Sequence, residues 1–172
     1  MESMFNFCSS LISIDISSFD TFFVNNMKDM FFFCSSLKSL DISNFSLYDV
    51  IMEGFLQICT SLEYVKFPND HNSAYVYGMF SECKSLKSIY LYKFTFLGDI
   101  GLLFSGCQSL KSLDLSLIKT NNVTSMNNLF QGCSSLNILA KIIKSFWNNH
   151  IYDFYIHLIF LGNGNNYYIF KN

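Results

Sequence analysis

The 172-residue sequence contains no arginine. All 11 basic residues are lysines, and 13 acidic residues bring the formal net charge to -2. Arginine supplies the planar, two-pronged donor that reads phosphates and guanine, so its absence argues against a phosphate-binding or nucleic-acid-binding surface. Charged residues make up only 14% of the chain, whereas hydrophobic residues make up 51%, which excludes an intrinsically disordered protein.

Targeting and membrane-spanning segments are also missing from the sequence. The amino terminus lacks the succession of basic, apolar and small residues that marks a secretory signal peptide. The longest strongly apolar stretch, Ile151 to Leu161, is about half the roughly 20 residues that a membrane-spanning helix requires, and it contains Asp153 and His157. We therefore predict no signal peptide and no transmembrane segment. The length favours one domain with a sizeable core.

Patterns that would indicate chemistry are absent too. No two cysteines have the C-x-x-C spacing typical of a metal site. The histidines, His71, His150 and His157, stand in no recognisable spacing with an acid and a nucleophile. The GNG stretch at residues 162–164 lacks the lysine of a phosphate-binding loop and is better interpreted as a turn. We predict no catalytic residues, no cofactor, no metal site and hence no enzyme.

What the sequence does contain is a repeat marked by its cysteines. The six cysteines are separated by 26, 25, 24, 24 and 26 residues, and they are Cys8, Cys34, Cys59, Cys83, Cys107 and Cys133. Leucine follows each cysteine by three positions, and the positions six and eight after it are apolar except at Lys141 in the last repeat. The resulting L-x-x-L-x-L pattern is typical of leucine-rich repeats, in which alternate residues of a short strand point into the core.

A second apolar feature lies upstream of each cysteine. An apolar pair stands four and three residues before it, as in Met30-Phe31 and Leu103-Phe104. This spacing predicts one helical turn with the pair and the cysteine on one face. Because a single coil cannot bury its own apolar edge, the repeats must stack. We therefore predict an α/β solenoid: a right-handed leucine-rich repeat coil of about six coils, with a parallel sheet on one face and short helices on the other.

The repeat ends before the chain does. We assign residues 1–139 to the solenoid and residues 140–172 to a degenerate repeat or a carboxy-terminal cap. Aromatic residues and a Gly/Asn-rich turn in the latter predict two strands, Ile151 to Leu161 and Tyr167 to Phe170.

The cysteines themselves could serve disulfides, a metal site, a nucleophile or packing. Their wide spacing favours packing, because helix-side residues of adjacent coils lie too far apart for the Cβ separation of about 3.8 Å that a disulfide requires. We predict free, buried thiols.

The pattern M-F-x-x-C-S-S-L-x-S-L-D-I-S-x-F, complete from Met30 to Phe45, resembles the BspA-like leucine-rich repeats of microbial surface proteins. The resemblance covers roughly residues 4–139. A second motif of that family is similar to the N-V-T-S-M segment at residues 122–126, which runs on to Leu129-Phe130. The resemblance implies a solenoid at the cell surface or secreted, engaged in adhesion or partner binding without catalysis.

A candidate binding surface follows from the strand register. Positions five, seven and nine after each cysteine should point outward. In the first, second and fifth repeats they carry serine, aspartate and serine: Ser13, Asp15, Ser17; Ser39, Asp41, Ser43; Ser112, Asp114, Ser116. In the third and fourth repeats they are Tyr64, Lys66, Pro68 and Ser88, Tyr90, Tyr92. Exposed tyrosine contributes large contact area at low entropic cost. We predict that Tyr64, Lys66, Tyr90 and Tyr92 bind a partner, the alternative being repeat drift without a ligand.

Together these patterns predict a non-catalytic interaction module whose partner is a protein or a glycan and not a nucleic acid. The alternative is a structural fragment of a longer repeat protein with no autonomous activity.

Overall fold

The computed structural model describes residues 1–115 and 117–136. Ser116 and residues 137–172, with the two strands predicted there, lie outside the described residues. The division of the chain at residue 139 therefore stays a prediction.

The described chain is built from eight short strands, all in parallel pairs. They are β1 (Ser39–Asp41), β2 (Val50–Ile51), β3 (Tyr64–Lys66), β4 (Asn72–Tyr75), β5 (Ser88–Tyr90), β6 (Phe94–Asp99), β7 (Ser112–Asp114) and β8 (Lys119–Ser125). β1 pairs with β3 and β5 with β7, whereas β2, β4, β6 and β8 form one four-stranded sheet in that order. The chain thus winds as a solenoid with about four strand-bearing turns. The first strand face carries β1, β3, β5 and β7; the second strand face carries β2, β4, β6 and β8.

The register of the first strand face agrees with the repeat columns of the sequence. Ser39 lies opposite Tyr64, and Leu40 lies opposite Val65, so residues at equal distances from their cysteines are neighbours. Leu40, Val65, Ile89 and Leu113 are all buried. The predicted parallel-sheet solenoid and its inward columns are confirmed.

The predicted helices are wrong, because the described residues contain no helix. The six residues ending at each cysteine form what we call the turn segment. In every turn segment the first residue and the residue before the cysteine have positive φ; in the second repeat these are Asp29 (53°) and Phe33 (60°). Left-handed residues cannot continue a right-handed helix. The described part of the chain is therefore not an α/β solenoid, and it contains about four strand-bearing turns where six coils were expected.

Backbone hydrogen bonding explains why turns replace helices. The amide of Phe31 donates to the carbonyl of Phe55 in the next repeat at 2.9 Å, where a helix would require the residue four positions earlier. The apolar pair and the cysteine nevertheless face the core, since Met30, Phe31 and Cys34 are fully buried. The prediction that the apolar pair and the cysteine share one buried face is confirmed, whereas the predicted helical backbone is wrong.

The cysteines form a ladder of weak hydrogen bonds through the core. The thiol of Cys59 donates to the carbonyl of Phe31 at 3.2 Å, and that of Cys83 to the carbonyl of Leu56 at 3.1 Å. Cys34, Cys107 and Cys133 make the same contact with the preceding repeat. A thiol is small and apolar yet offers one weak donor, which suits a buried position beside a backbone carbonyl.

The expectation of free, buried thiols is confirmed for five of the six cysteines and wrong for Cys8, which is exposed. Burial raises the pKa of Cys34 to about 11 and that of Cys133 to about 12. Burial likewise raises the pKa of Cys83 and Cys107 well above the ordinary thiol value. Only the thiolate is nucleophilic, so these groups are inert at neutral pH.

We expect a thiol reagent to modify Cys8 at least about a hundredfold faster than the other five, because buried thiols with raised pKa values react only after local opening. Mass spectrometry of the native chain over time measures this. One rapid addition followed by a long plateau is the expected course, and Cys8→Ser should remove the rapid phase. Two or more rapid additions to the native chain would contradict the ladder.

Candidate partner-binding surface

The first strand face brings the predicted binding residues together. Tyr64 begins β3 and Lys66 ends it, whereas Tyr90 ends β5 and Tyr92 follows two residues later. The side chains alternate with the buried Val65, Ile89 and Leu91, so all four point away from the core. Tyr64, Tyr90 and Tyr92 are 54%, 78% and 43% exposed. Their predicted exposure is confirmed; their role in binding stays a prediction.

Neighbouring strands surround these residues with small polar and acidic side chains. Tyr64 lies beside Ser39, and Lys66 lies beside Asp41. On the other side Tyr90 lies beside Asp114. The surface therefore consists of three tyrosines and one lysine set into a stripe of serine and aspartate.

Hydrogen bonds and a neighbouring lysine stabilise the negative charge of Asp41. Its Oδ1 accepts from the hydroxyl and the amide of Ser43 at 2.6 and 2.9 Å, and its Oδ2 pairs with Lys66 Nζ at 3.0 Å. The hydrogen bonds from Ser43, with the charge of Lys66, lower the pKa of Asp41 to about 2. Because both charges of the pair are solvent-exposed, the pair itself contributes at most about 1 kcal/mol to stability.

Three charged residues around the surface escaped the sequence interpretation. Glu63 and Lys87, each four residues after a cysteine, form an ion pair between adjacent repeats. Lys93 lies over the ring of Tyr92, with Nζ 5.1 Å from the ring centroid. Such a cation–π contact favours one orientation of the ring. Comparing the residues that stand four positions after each cysteine would have revealed Glu63 and Lys87 as neighbours of opposite charge.

The second strand face also carries tyrosines that the sequence interpretation missed. Tyr75 ends β4, Tyr77 follows it, and both are 41% exposed. Tyr48, which precedes β2, is 77% exposed. None of the three belongs to β1, β3, β5 or β7, so they supply controls for any test of the first strand face.

Within residues 1–115 and 117–136, no three histidine, cysteine, aspartate or glutamate residues lie close enough to hold a metal ion. The same part of the chain has no helix long and apolar enough to cross a membrane. Whether the protein lacks catalytic, cofactor and metal sites altogether stays a prediction.

Stacked parallel strands, a repeated turn segment and a cysteine ladder define a repeat protein with solenoid architecture. The chain belongs to the family described as "Mycoplasma protein of unknown function, DUF285", whose model matches residues 1–94 and again residues 74–151. Neither the curated proteins nor the solved structures contain a match to the chain.

Proposed function

We propose that this protein is a non-catalytic, BspA-like leucine-rich repeat module of adhesion type whose first strand face binds a protein or glycan partner. The observation that carries the proposal is the group of exposed tyrosines, Tyr64, Tyr90 and Tyr92, around Lys66. The resemblance of the repeat to microbial surface proteins supports a location at the cell surface or outside the cell.

The change of side chains along this face supports a binding role. The outward columns carry serine and aspartate in the first, second and fifth repeats, whereas the third carries Tyr64, Lys66 and Pro68 and the fourth carries Ser88, Tyr90 and Tyr92. Exposed tyrosines are not needed for the fold, because their neighbours in the same columns are small and polar. Tyrosine is enriched among residues that dominate binding energy, since its ring buries a large area and loses little entropy.

The repeat itself supplies the test variants. Tyr64→Ser, Tyr90→Asp and Tyr92→Ser give each position the residue that its column carries in the second repeat, so the fold should tolerate them. Binding of the 172-residue chain to immobilised glycans and to candidate surface proteins is measured first. For any ligand found, the triple variant should bind at least about 30-fold more weakly, as expected when aromatic anchors worth about 2 kcal/mol or more are lost.

Tyr48→Ser is the matched control, because Tyr48 is as exposed as Tyr90 and does not belong to β1, β3, β5 or β7. It should bind as the unmodified chain does. Equal binding by the triple variant, or equal losses in the triple variant and the control, would contradict the proposal.

A second candidate function is a structural segment of a longer repeat protein without autonomous activity. The observation that favours it is the exposure of core columns in the first repeat: Met4 is 50% exposed, whereas Met30 in the same column is fully buried.

A further inference from the structure

Two glycines on the second strand face make room for the rings of Tyr75 and Tyr77. Tyr75 lies opposite Leu97 in the sheet, and its ring lies against the next residue, Gly98. A Cβ atom on Gly98 would lie 3.1 Å from Tyr75 Cδ1, and one on Gly101 would lie 3.2 Å from Tyr77 Cε2. Carbon atoms pack at about 3.5–4.0 Å, so each ring occupies space that only glycine leaves open. Both rings are thus held against the neighbouring repeat while 41% of each tyrosine stays exposed.

A bulge in β6 brings a carboxylate to these rings. The register of the sheet shifts between Gly98 and Asp99, and bulges of this kind redirect side chains. Asp99 Oδ1 accepts from the amide of Gly101 at 2.7 Å. The same oxygen would lie 3.0 Å from a Cβ atom on Gly101, the position that Tyr77 Cε2 also approaches. The carboxylate therefore lies beside the ring of Tyr77, and Asp99 directly follows the glycine that accommodates Tyr75.

No cation among the described residues balances the charge of Asp99. Asp99 is exposed, and the ion pairs within residues 1–115 and 117–136 do not include it. The other charged residue of β2, β4, β6 and β8 is Lys119, which lies opposite Thr95, four residues before Asp99. Four residues of a strand span roughly 13 Å, which is too far for an ion pair. The second strand face therefore presents two tyrosine rings beside an unbalanced negative charge.

We propose that Tyr75, Tyr77 and Asp99 form a site for an arginine side chain of a protein partner, separate from the first strand face. A guanidinium group is planar and stacks on aromatic rings, and its paired N–H donors suit a carboxylate. A quaternary ammonium group would also suit the rings, but it has no hydrogen to donate to Asp99. The chain contains no arginine, so neither another part of the chain nor a second copy supplies the group.

The probe is a short peptide that presents one arginine between glycines. Its control is the same peptide with citrulline, a neutral residue of nearly the same shape. Two-dimensional nuclear magnetic resonance spectra of the 172-residue chain are recorded as each peptide is added, up to about 10 mM, because a single exposed side chain binds weakly. The arginine peptide should shift the amide signals of Tyr75, Tyr77 and residues 98–101. The citrulline peptide should leave them unchanged at the same concentrations.

Asp99→Asn removes the charge and keeps an oxygen that can accept from the amide of Gly101, so the bulge should persist. Binding of the arginine peptide should weaken at least about tenfold, because hydrogen bonds between charged groups are stronger than neutral ones. Asp70→Asn is the matched control, since Asp70 is exposed, carries the same charge and lies in the loop before β4. It should bind as the unmodified chain does.

The rings are tested by the double variant Tyr75→Ser, Tyr77→Asn. It gives each position the residue that stands at the same distance before Cys133, so the fold should tolerate it. The loss of two cation–π contacts should weaken binding of the arginine peptide at least about fivefold. The triple variant of the first strand face should bind the peptide normally, which separates this site from that surface.

Four results would overturn the proposal: no shift at Tyr75 or Tyr77, equal shifts with the citrulline peptide, equal affinity for a lysine peptide, or equal binding in Asp99→Asn. Equal losses in Asp70→Asn and Asp99→Asn would also overturn it, because they would mean a general attraction between charges. Circular dichroism checks that the variants fold, and the comparison of arginine with citrulline on the unmodified chain decides the question without them.

Discussion

Phe104→Ala is expected to lower the free energy of unfolding by about 3–5 kcal/mol, among the largest effects of any single substitution in this chain. Phe104 is fully buried, and its ring stacks between Phe80 and Phe130 at 5.7 Å on each side. Removing the ring leaves a cavity and ends two aromatic contacts, each worth about 0.5–1.5 kcal/mol beyond the buried area. Backbone hydrogen bonds between neighbouring repeats fix the distance between them. We therefore expect the cavity to collapse only in part. Denaturant unfolding followed by circular dichroism measures the loss.

Phe23→Ala is the matched control for this substitution. Phe23 is 90% exposed, and its ring contacts only Phe22 among the described aromatic residues. Its replacement should change the free energy of unfolding by less than about 0.5 kcal/mol. A similar loss in both variants would mean that the stack of Phe80, Phe104 and Phe130 contributes nothing special to the core.

The cysteine ladder should make the protein unusually sensitive to alkaline pH. Burial, together with the neighbouring Cys34, raises the pKa of Cys59 from 9.0 to about 12. Below pH 9 the thiol is protonated in both the folded and the unfolded chain, so its full contribution to stability is present. Between pH 9 and 12 only the unfolded chain loses the proton, and stability falls as the pH rises. The full difference between the pKa values of Cys59 in the folded and unfolded chain corresponds to a loss of about 4 kcal/mol in the free energy of unfolding.

Cys59→Ser isolates this contribution, because the serine hydroxyl keeps a hydrogen-bond donor and does not ionise in this range. The free energies of unfolding of the unmodified chain and of the variant are measured from pH 7 to pH 11. Below pH 9 their difference should be constant, and above pH 9 the unmodified chain should lose stability faster by about 1 kcal/mol per pH unit. Parallel profiles over the whole range would contradict the raised pKa.

Much of the strand architecture could be predicted from the residues. Leu40, Val65 and Ile89 recur six positions after a cysteine, and alternation about them fixes which side chains face the core. The same alternation predicted the exposure of Tyr64 and Tyr90. Register in a sheet with one buried face is decided by the side chains alone, since a shift of one residue would exchange its two faces.

The turn segment could not be predicted in this way, because its side chains suit a helix equally well. Some of its left-handed positions are occupied by glycine, such as Gly54 and Gly106, but others are occupied by Asp29, Phe33 and Leu102. A non-glycine residue gives little local sign of positive φ. The second strand face was missed for a related reason: its strands lie in the most variable part of the repeat, where β6 and β8 pair with a shifted register.

The sequence by itself determined the repeat length, the inward columns and the residues presented on the first strand face, because each depends on the order of side chains within one repeat. Only the tertiary structure decided the backbone conformation of the turn segment, and that Cys8 is exposed whereas Cys59 is buried. Both depend on hydrogen bonds to a repeat 24–26 residues away, and one repeat read alone does not reveal whether a neighbour is present to make them.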